Sequence, residues 1–317
     1  MTMTHGLLLV KSGGDAAVAE WQAGFREVAP DLEVRGWNDP SVDPDAVTFV
    51  LVWEPEPGRI AGYRNLRAIF SSAAGVDHIV RDPTVPAHLP IVRMVSEETS
   101  QTVGEYVCLA ALSILRDHRR MIAAQAERRW DNFEPPHTAW DKRVGIMGFG
   151  TIGQVVARML GGLGFQLAGW ARSHKTVHGV TMFAGNDELA PFLSGCDILV
   201  NLLPDTPDTR GVLDARRLAW LPRGAGIVNT GRGTAIVLAD LLAALDSGQI
   251  GAAVLDVFED EPLPAAHPAW THPRITVTAH LAGYASRRAR AASVAATMGA
   301  LERGETVPHL YDPVRGY

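Results

Sequence analysis

The sequence predicts an α/β protein of two domains with parallel sheets, and three observations carry that expectation. Its 317 residues are long for one hydrophobic core and suit two. Short apolar runs alternate with helical patterns along the chain, as strand–helix–strand units require. A composition that is 47% hydrophobic, 20% charged and 7% aromatic is too apolar for a disordered chain.

Apolar runs at 7–10, 47–53, 68–71 and 91–94 read as strands of a first domain, residues 1–101, with a helix over 16–28. Thr102 and Glu105 can form a capping box, and Val103, Val107, Ala110, Ala111 and Ile114 recur on one face. Residues 102–124 therefore read as one long helix leading into a second domain, 102–285. Residues 128–140, with Trp130, Phe133, Pro135, Pro136 and Trp140, have no period; they form either a surface linker or an arm that packs on a partner subunit. Strands at 144–148, 166–171, 197–203, 226–230, 252–258 and 275–279 then alternate with helices at 152–163, 187–193, 214–221 and 238–247. Leu238, Leu241, Leu242 and Leu245 keep core spacing in the last of these, and Gly248 stops it. An Ala-rich helix over 286–303 is expected to cross back, so that 286–317 completes the first domain and two helices join the pair.

Charge excludes some partners. With 29 basic and 35 acidic residues the net charge is -6, and no Lys/Arg run offers a footprint for nucleic acid. The two cysteines, Cys108 and Cys196, cannot make a disulfide framework, which suits a reducing compartment. No stretch reads as a signal peptide, and the apolar run 106–115 is too short to span a bilayer, so a cytoplasmic protein without membrane contact is expected. No His or Cys cluster has metal-ligand spacing, and neither G-x-S-x-G nor H-E-x-x-H occurs.

Gly148-Phe149-Gly150-Thr151-Ile152-Gly153 has the spacing G-x-G-x-x-G. Alone it is a weak signal. Here a strand runs into it and a helix begins at once, so the turn can present a helix amino terminus to a pyrophosphate, as in Rossmann/flavodoxin-like domains. The next strand ends Ala171-Arg172-Ser173-His174-Lys175, with no acid to accept from a ribose 2′-hydroxyl. Arg172, Ser173 and Lys175 supply a guanidinium, a hydroxyl and an ammonium for a 2′-phosphate, so NADPH is expected in preference to NADH, with NADH use still possible. The competing reading is a solvated basic turn.

Ligands of open α/β sheets lie outside the carboxyl ends of the strands, and three polar residues fall there. Arg232 follows the strand ending at Thr230, between Gly231 and Gly233; Glu261 follows the strand ending at Phe258; His280 follows Ala279. A His that gives a proton to a carbonyl must itself be protonated, which a neighbouring carboxylate favours, and Glu261 can do this for His280. Arg232 offers a forked cation for a 2-oxo carboxylate and can polarise the adjacent carbonyl.

Taken with Asn201-Leu202-Leu203-Pro204, Thr206, Thr209, Asn229-Thr230, Asp256-Val257-Phe258 and Pro262-Leu263, these motifs resemble the D-isomer-specific 2-hydroxyacid dehydrogenases over most of the chain. Within that family they look most like the bacterial glyoxylate/hydroxypyruvate reductases, a likeness shared by the basic second-strand turn and by Arg315-Gly316-Tyr317. The resemblance implies reduction of small 2-oxo acids to D-2-hydroxy acids, with Arg232 as substrate anchor, Glu261 as partner of His280, and His280 as proton donor. It also implies Asp256 at the nicotinamide amide, cofactor contacts from Leu203, Pro204 and Thr230, and a homodimer. Ser72-Ala73-Ala74-Gly75-Val76-Asp77 looks like the family's substrate loop, in which the backbone N–H groups of Ala73, Ala74 and Gly75 meet the carboxylate. Trp53 lines either the acyl pocket or its own domain's core. Ala279 stands where many relatives carry Pro. Two other readings compete: a dinucleotide-sensing corepressor-like binding protein on the same fold, and a different NADP-linked reductase.

Overall fold

The computed structural model of the chain describes residues 6–316; Tyr317, the last residue of the terminal tripeptide, lies outside them. The chain divides into two compact units, one holding the chain up to Glu98 and from Ala285 onward, the other Thr99–Tyr284.

Among the described residues of the first unit, β1 (Leu7–Lys11), β2 (Glu33–Gly36), β3 (Val47–Val52), β4 (Ala68–Ser71) and β5 (Ile91–Val92) form one sheet in the order β2-β1-β3-β4-β5, every pair parallel. A strand covered on both faces sends alternate side chains to opposite cores. Leu8 and Val10 meet Trp21 and Phe25 of α1 (Val18–Val28), whereas Leu7 and Leu9 join Val50, Ile69 and Ile79, the last from α2 (Asp77–Val80).

The second unit repeats the plan. Helix α3 (Glu97–Leu115) enters it and is followed by α4 (His118–Ala126). A seven-stranded sheet is built from β6 (Arg143–Met147), β7 (Gln166–Ala171), β8 (Val180–Ala184), β9 (Ile198–Asn201), β10 (Ala225–Asn229), β11 (Ile250–Leu255) and β12 (Ile275–Val277). Its order is β12-β11-β10-β9-β6-β7-β8, again wholly parallel. The intervening helices are α5 (Thr151–Gly162), α6 (Leu189–Ser194), α7 (Ala215–Leu218) and α8 (Leu238–Asp246). After β8 the chain moves from one side of β6 to the other, so the ends of β6 and β9 form the switch point at which such sheets bind ligands. Helix α9 (Arg287–Glu302), capped by the Ser286 hydroxyl, lays Ala291, Val294, Ala295 and Met298 into the core around Trp21 and Phe25.

Three expectations need correction. Residues 102–124 are not one helix, and Thr102 caps nothing: α3 already starts at Glu97, and the Thr102 hydroxyl faces the carbonyls of Thr99 and Tyr284. The break comes at Asp117, whose φ of 49° is left-handed, where the apolar period stops in a run of Arg, Asp and His; a short polar side chain tolerates that backbone better than most. Strands β2 and β8 are additions, for each lies at a sheet edge and buries a single side chain, Val34 and Ala184. The tail after α9, for which no element was expected, is partly paired, because Leu310 bridges Val92 antiparallel and Tyr311 N–H donates to Ile91, which covers the β5 edge.

Phe25 is 1% exposed and stacks on Trp21 with centroids 6.2 Å apart. Phe25→Ala should lower unfolding free energy by roughly 3–5 kcal/mol in urea titration, the usual cost of emptying such a site; an unchanged midpoint would show that this core does not hold the first unit together.

Candidate active site

The turn after β6 is shaped by glycines. Gly148 has φ 96°, and a Cβ there would lie 2.9 Å from the Leu202 backbone; one on Gly153 would lie 2.5 Å from Gly148 O, so α5 packs directly on the turn. Gly150 differs, since nothing lies within 4 Å of where its Cβ would project. That open side, at the first turn of a twelve-residue helix, can receive a pyrophosphate. Thr151 is exposed there, while Phe149 and Leu203 are 1% and 6% exposed and have only backbone to offer a ligand. Ile152 packs on the core beneath. Past β7, Arg172 and Ser173 are exposed, and Lys175 Nζ donates to Phe149 O at 2.8 Å, which brings an ammonium to the glycine turn. Thr230 Oγ1 is buried with no hydrogen-bond partner among the described residues, at the end of β10 beside this switch point. An open backbone cradle, an orphaned hydroxyl and a basic second turn fit a dinucleotide phosphate.

Two buried asparagines lock the neighbouring strand ends. Asn201 and Asn229 sit opposite each other in the β9–β10 register, and Asn201 Nδ2 donates to Asn229 Oδ1 at 2.8 Å. Asn229 Oδ1 also accepts from Gly231 N–H, Asn201 Oδ1 accepts from Leu203 N–H, and Asn229 Nδ2 donates to the Arg232 carbonyl. Gly231 abuts Leu203, and Gly233 lies so close to Phe258 and Glu259 that a Cβ would overlap their backbone. Arg232 is thus clamped on both sides, with Nη1 donating to Gly231 O at 2.9 Å. The sequence reading quoted both asparagines but gave them no role; like residues at one level of adjacent strand ends were the available signal.

His280 and Glu261 meet. Nδ1 lies 2.7 Å from Glu261 Oε2, while Glu261 Oε1 accepts from Phe258 N–H at 2.8 Å. Their side chains are 33% and 32% exposed, so both reach solvent or ligand. Burial raises the Glu261 carboxyl, but the bonds from His280 and Phe258, with the positive fields of His280 and Arg232, outweigh it and hold the group below its usual range. Arg232 therefore acts on the same carboxylate as His280. An ionised Glu261 can only accept, so the shared hydrogen is carried by Nδ1. Asp256 is 1% exposed, and its carboxylate accepts from Thr278 Oγ1, Leu281 N–H and Ala282 N–H at 2.6, 2.9 and 2.9 Å.

In the first unit, the loop after β4 is held from inside. Ser71 Oγ donates to Gly75 O and accepts from Ala73 N–H, Arg93 Nε donates to Ala74 O at 3.0 Å, and Met94 N–H donates to Ala73 O. The N–H groups of Ala74 and Gly75 meet no acceptor among the described residues, as a carboxylate-binding loop needs. Trp53 packs on His78 with ring centroids 4.4 Å apart. Pro204 is partly exposed, and its carbonyl accepts from Thr209 Oγ1. Among the described residues no group of three side chains could hold a metal ion, and no helix is long and apolar enough to cross a membrane.

A glycine turn ready for phosphate and a carboxylate-paired histidine on the same unit define a dinucleotide-linked oxidoreductase. Residues 108–282 match the D-isomer specific 2-hydroxyacid dehydrogenase family, NAD binding domain. Glyoxylate/hydroxypyruvate reductase A of Serratia proteamaculans (strain 568) is 39% identical over 303 residues, covering 94% of this chain and 96% of that protein. A D-isomer specific 2-hydroxyacid dehydrogenase of Xanthobacter autotrophicus Py2, solved with NADPH and MES, superposes with a TM-score of 0.94 at 38% identity over 99% of this chain and 100% of that one. The NADPH-dependent glyoxylate/hydroxypyruvate reductase of Sinorhizobium meliloti, solved with NADP and sulfate, gives 0.91 at 36% over 98% and 100%. The chain belongs to the D-isomer-specific 2-hydroxyacid dehydrogenase family and is an NAD(P)-dependent oxidoreductase.

Because the folded Glu261 carboxyl lies below its unfolded value, its pairing stabilises the fold above about pH 4.3, the ordinary carboxylate value, and that contribution is lost as pH falls through the folded value. Glu261→Gln should melt below the native protein at neutral pH, with the gap closing as pH falls below the ordinary carboxylate value of about 4.3; a gap that does not change with pH would mean the carboxylate is not ionised in the pair.

Proposed function

We propose that this enzyme reduces small 2-oxo acids of the glyoxylate/hydroxypyruvate type to D-2-hydroxy acids with NADPH. The observation that carries the reading is the 2.7 Å contact of His280 with Glu261, within the field of Arg232, on the same unit as a glycine turn suited to phosphate. Bound NADPH supplies the hydride that adds to the carbonyl carbon of the 2-oxo acid. Arg232 holds the substrate carboxylate in its fork and draws charge toward the adjacent carbonyl oxygen. His280 delivers the proton from Nε2 to that oxygen, and Glu261 stabilises the imidazolium beforehand and fixes the ring plane. In the oxidative direction the same nitrogen takes the proton back. Ala74 and Gly75 present backbone N–H groups to the carboxylate, whereas that of Ala73, expected to do the same, is taken by Ser71 Oγ, and Trp53 borders the acyl group.

Gly148, Gly150, Thr151 and Gly153 cradle the pyrophosphate, with the Phe149 and Ile152 backbones between them, and Leu203, Pro204 and Thr230 line the way to the nicotinamide. Arg172, Ser173 and Lys175 meet the 2′-phosphate; the missing acid after β7 and the NADPH and NADP bound to the two solved relatives support this. Asp256 acts at the nicotinamide end by shaping the turn on which His280 sits.

We infer a homodimer. Leu109 of α3, Met121 and Ile122 of α4, and Trp130 and Trp140 of the arm are all exposed, Trp130 at 95%, which is costly in water. Sedimentation equilibrium at micromolar concentration should give twice the 34.1 kDa chain mass, and a monomer would contradict the inference.

Steady-state assays over a panel of 2-oxo acids should give a higher kcat/KM with NADPH than with NADH, with Arg172→Ala narrowing the difference. His280→Asn should lower kcat by roughly 10²–10⁴-fold, the span of a lost acid–base group. A preference for NADH, or full activity without the imidazole, would refute the reading.

A further inference from the structure

His280 stands in a left-handed backbone conformation, φ 51°, which is uncommon for a non-glycine residue and is held here by its surroundings. Ala279, the residue before it, has no ring to restrict the chain. The surroundings are visible. His280 N–H donates to Asp256 O at 2.8 Å, and the next two N–H groups, of Leu281 and Ala282, both fall on the Asp256 carboxylate. The turn therefore folds around one buried anion at the end of β11.

That anion is held from behind by two hydroxyls. Thr278 Oγ1 donates to Asp256 Oδ1 at 2.6 Å, and Tyr106 Oη of α3 lies 2.6 Å from Thr278 Oγ1. A carboxylate only accepts, so the single hydroxyl hydrogen of Thr278 goes to Asp256, and the Tyr106–Thr278 contact must take its hydrogen from Tyr106. The chain runs one way, from phenol to threonine to carboxylate. Burial, reinforced by the Asp256 charge, pushes the Tyr106 phenol up to about 12, so it keeps that hydrogen throughout the working range. Neither residue touches Glu261 or the histidine ring in this arrangement; they act on the backbone that aims the ring.

We propose that Tyr106 and Thr278 are positioning residues for His280: their donor chain fixes Asp256, Asp256 fixes the left-handed turn, and the turn sets the imidazole in line with Glu261. The proposal rests on His280 being the proton donor. It extends the reacting machinery to α3, a helix that carries no residue of the site itself.

The test combines kinetics with the imidazole NMR signal of the full chain. Thr278→Val and Tyr106→Phe should each lower kcat about ten-fold, as a small misalignment of a reacting group does, while KM for NADPH stays within about two-fold. Thr278→Ser, which keeps the hydroxyl, should restore most of the rate. Because the two residues act in series, the double variant should lose no more than the worse single one. In the native protein the Nδ1 proton shared with Glu261 should give a sharp downfield resonance that broadens or moves in Thr278→Val and Tyr106→Phe but not in Thr278→Ser. Native kcat and an unmoved resonance in both hydroxyl-deleted proteins would overturn the proposal, as would a serine variant as slow as the valine one. If the native chain reduces no 2-oxo acid, the reductase reading fails, and the resonance still decides whether these hydroxyls position the histidine.

Discussion

A carboxylate against an imidazole at 2.7 Å is the contact on which the proposed chemistry of the second unit rests. In the proposed reaction it keeps a hydrogen on one ring nitrogen, leaves the other to exchange one, and puts a negative charge beside the imidazolium. The contact sits at the rim rather than in the core. Deep burial of two charges costs more in lost hydration than their attraction returns, whereas at one-third exposure Glu261 remains ionised under the combined hold of His280, Phe258 N–H and Arg232.

The partners arrive at this contact because β10, β11 and β12 are parallel neighbours that end at one edge of the sheet. Arg232, Glu261 and His280 all lie past those ends. What converts rough proximity into geometry is the treatment of the backbone. Asn201 and Asn229 cross-link β9 to β10 and hold the Arg232 carbonyl, Gly233 allows that loop to touch the Phe258 backbone, and Phe258 in turn orients Glu261. A local clash at Gly233 would thus be felt at Glu261, three residues beyond the point of contact.

Much of the fold was legible because a strand buried on both faces is written as a largely apolar run, and β4 and β7 keep the bounds that such runs predict. Edge strands β2 and β8 bury one side chain each and leave no such trace. The strands before Glu261 and His280 stop sooner than their apolar residues do, since Val257 and Phe258 are buried by packing after the ladder has ended. The left-handed residue that divides α3 from α4 is an aspartate in a polar run, which periodicity alone does not mark. In the site, residue type and position past a strand end were enough to single out Arg232, Glu261 and His280. The asparagine clamp and the Tyr106–Thr278–Asp256 chain were not legible, for each joins residues far apart in sequence through contacts that only strand register and helix packing create.

The most direct measurement is a crystal structure of the chain with NADPH and oxamate, a 2-oxo acid mimic that cannot be reduced. The Arg232 guanidinium should fork onto the oxamate carboxylate, and His280 Nε2 should lie within hydrogen-bond distance of its carbonyl oxygen while Nδ1 remains on Glu261. Oxamate bound away from Arg232, or an imidazole turned off Glu261 in the complex, would contradict the account.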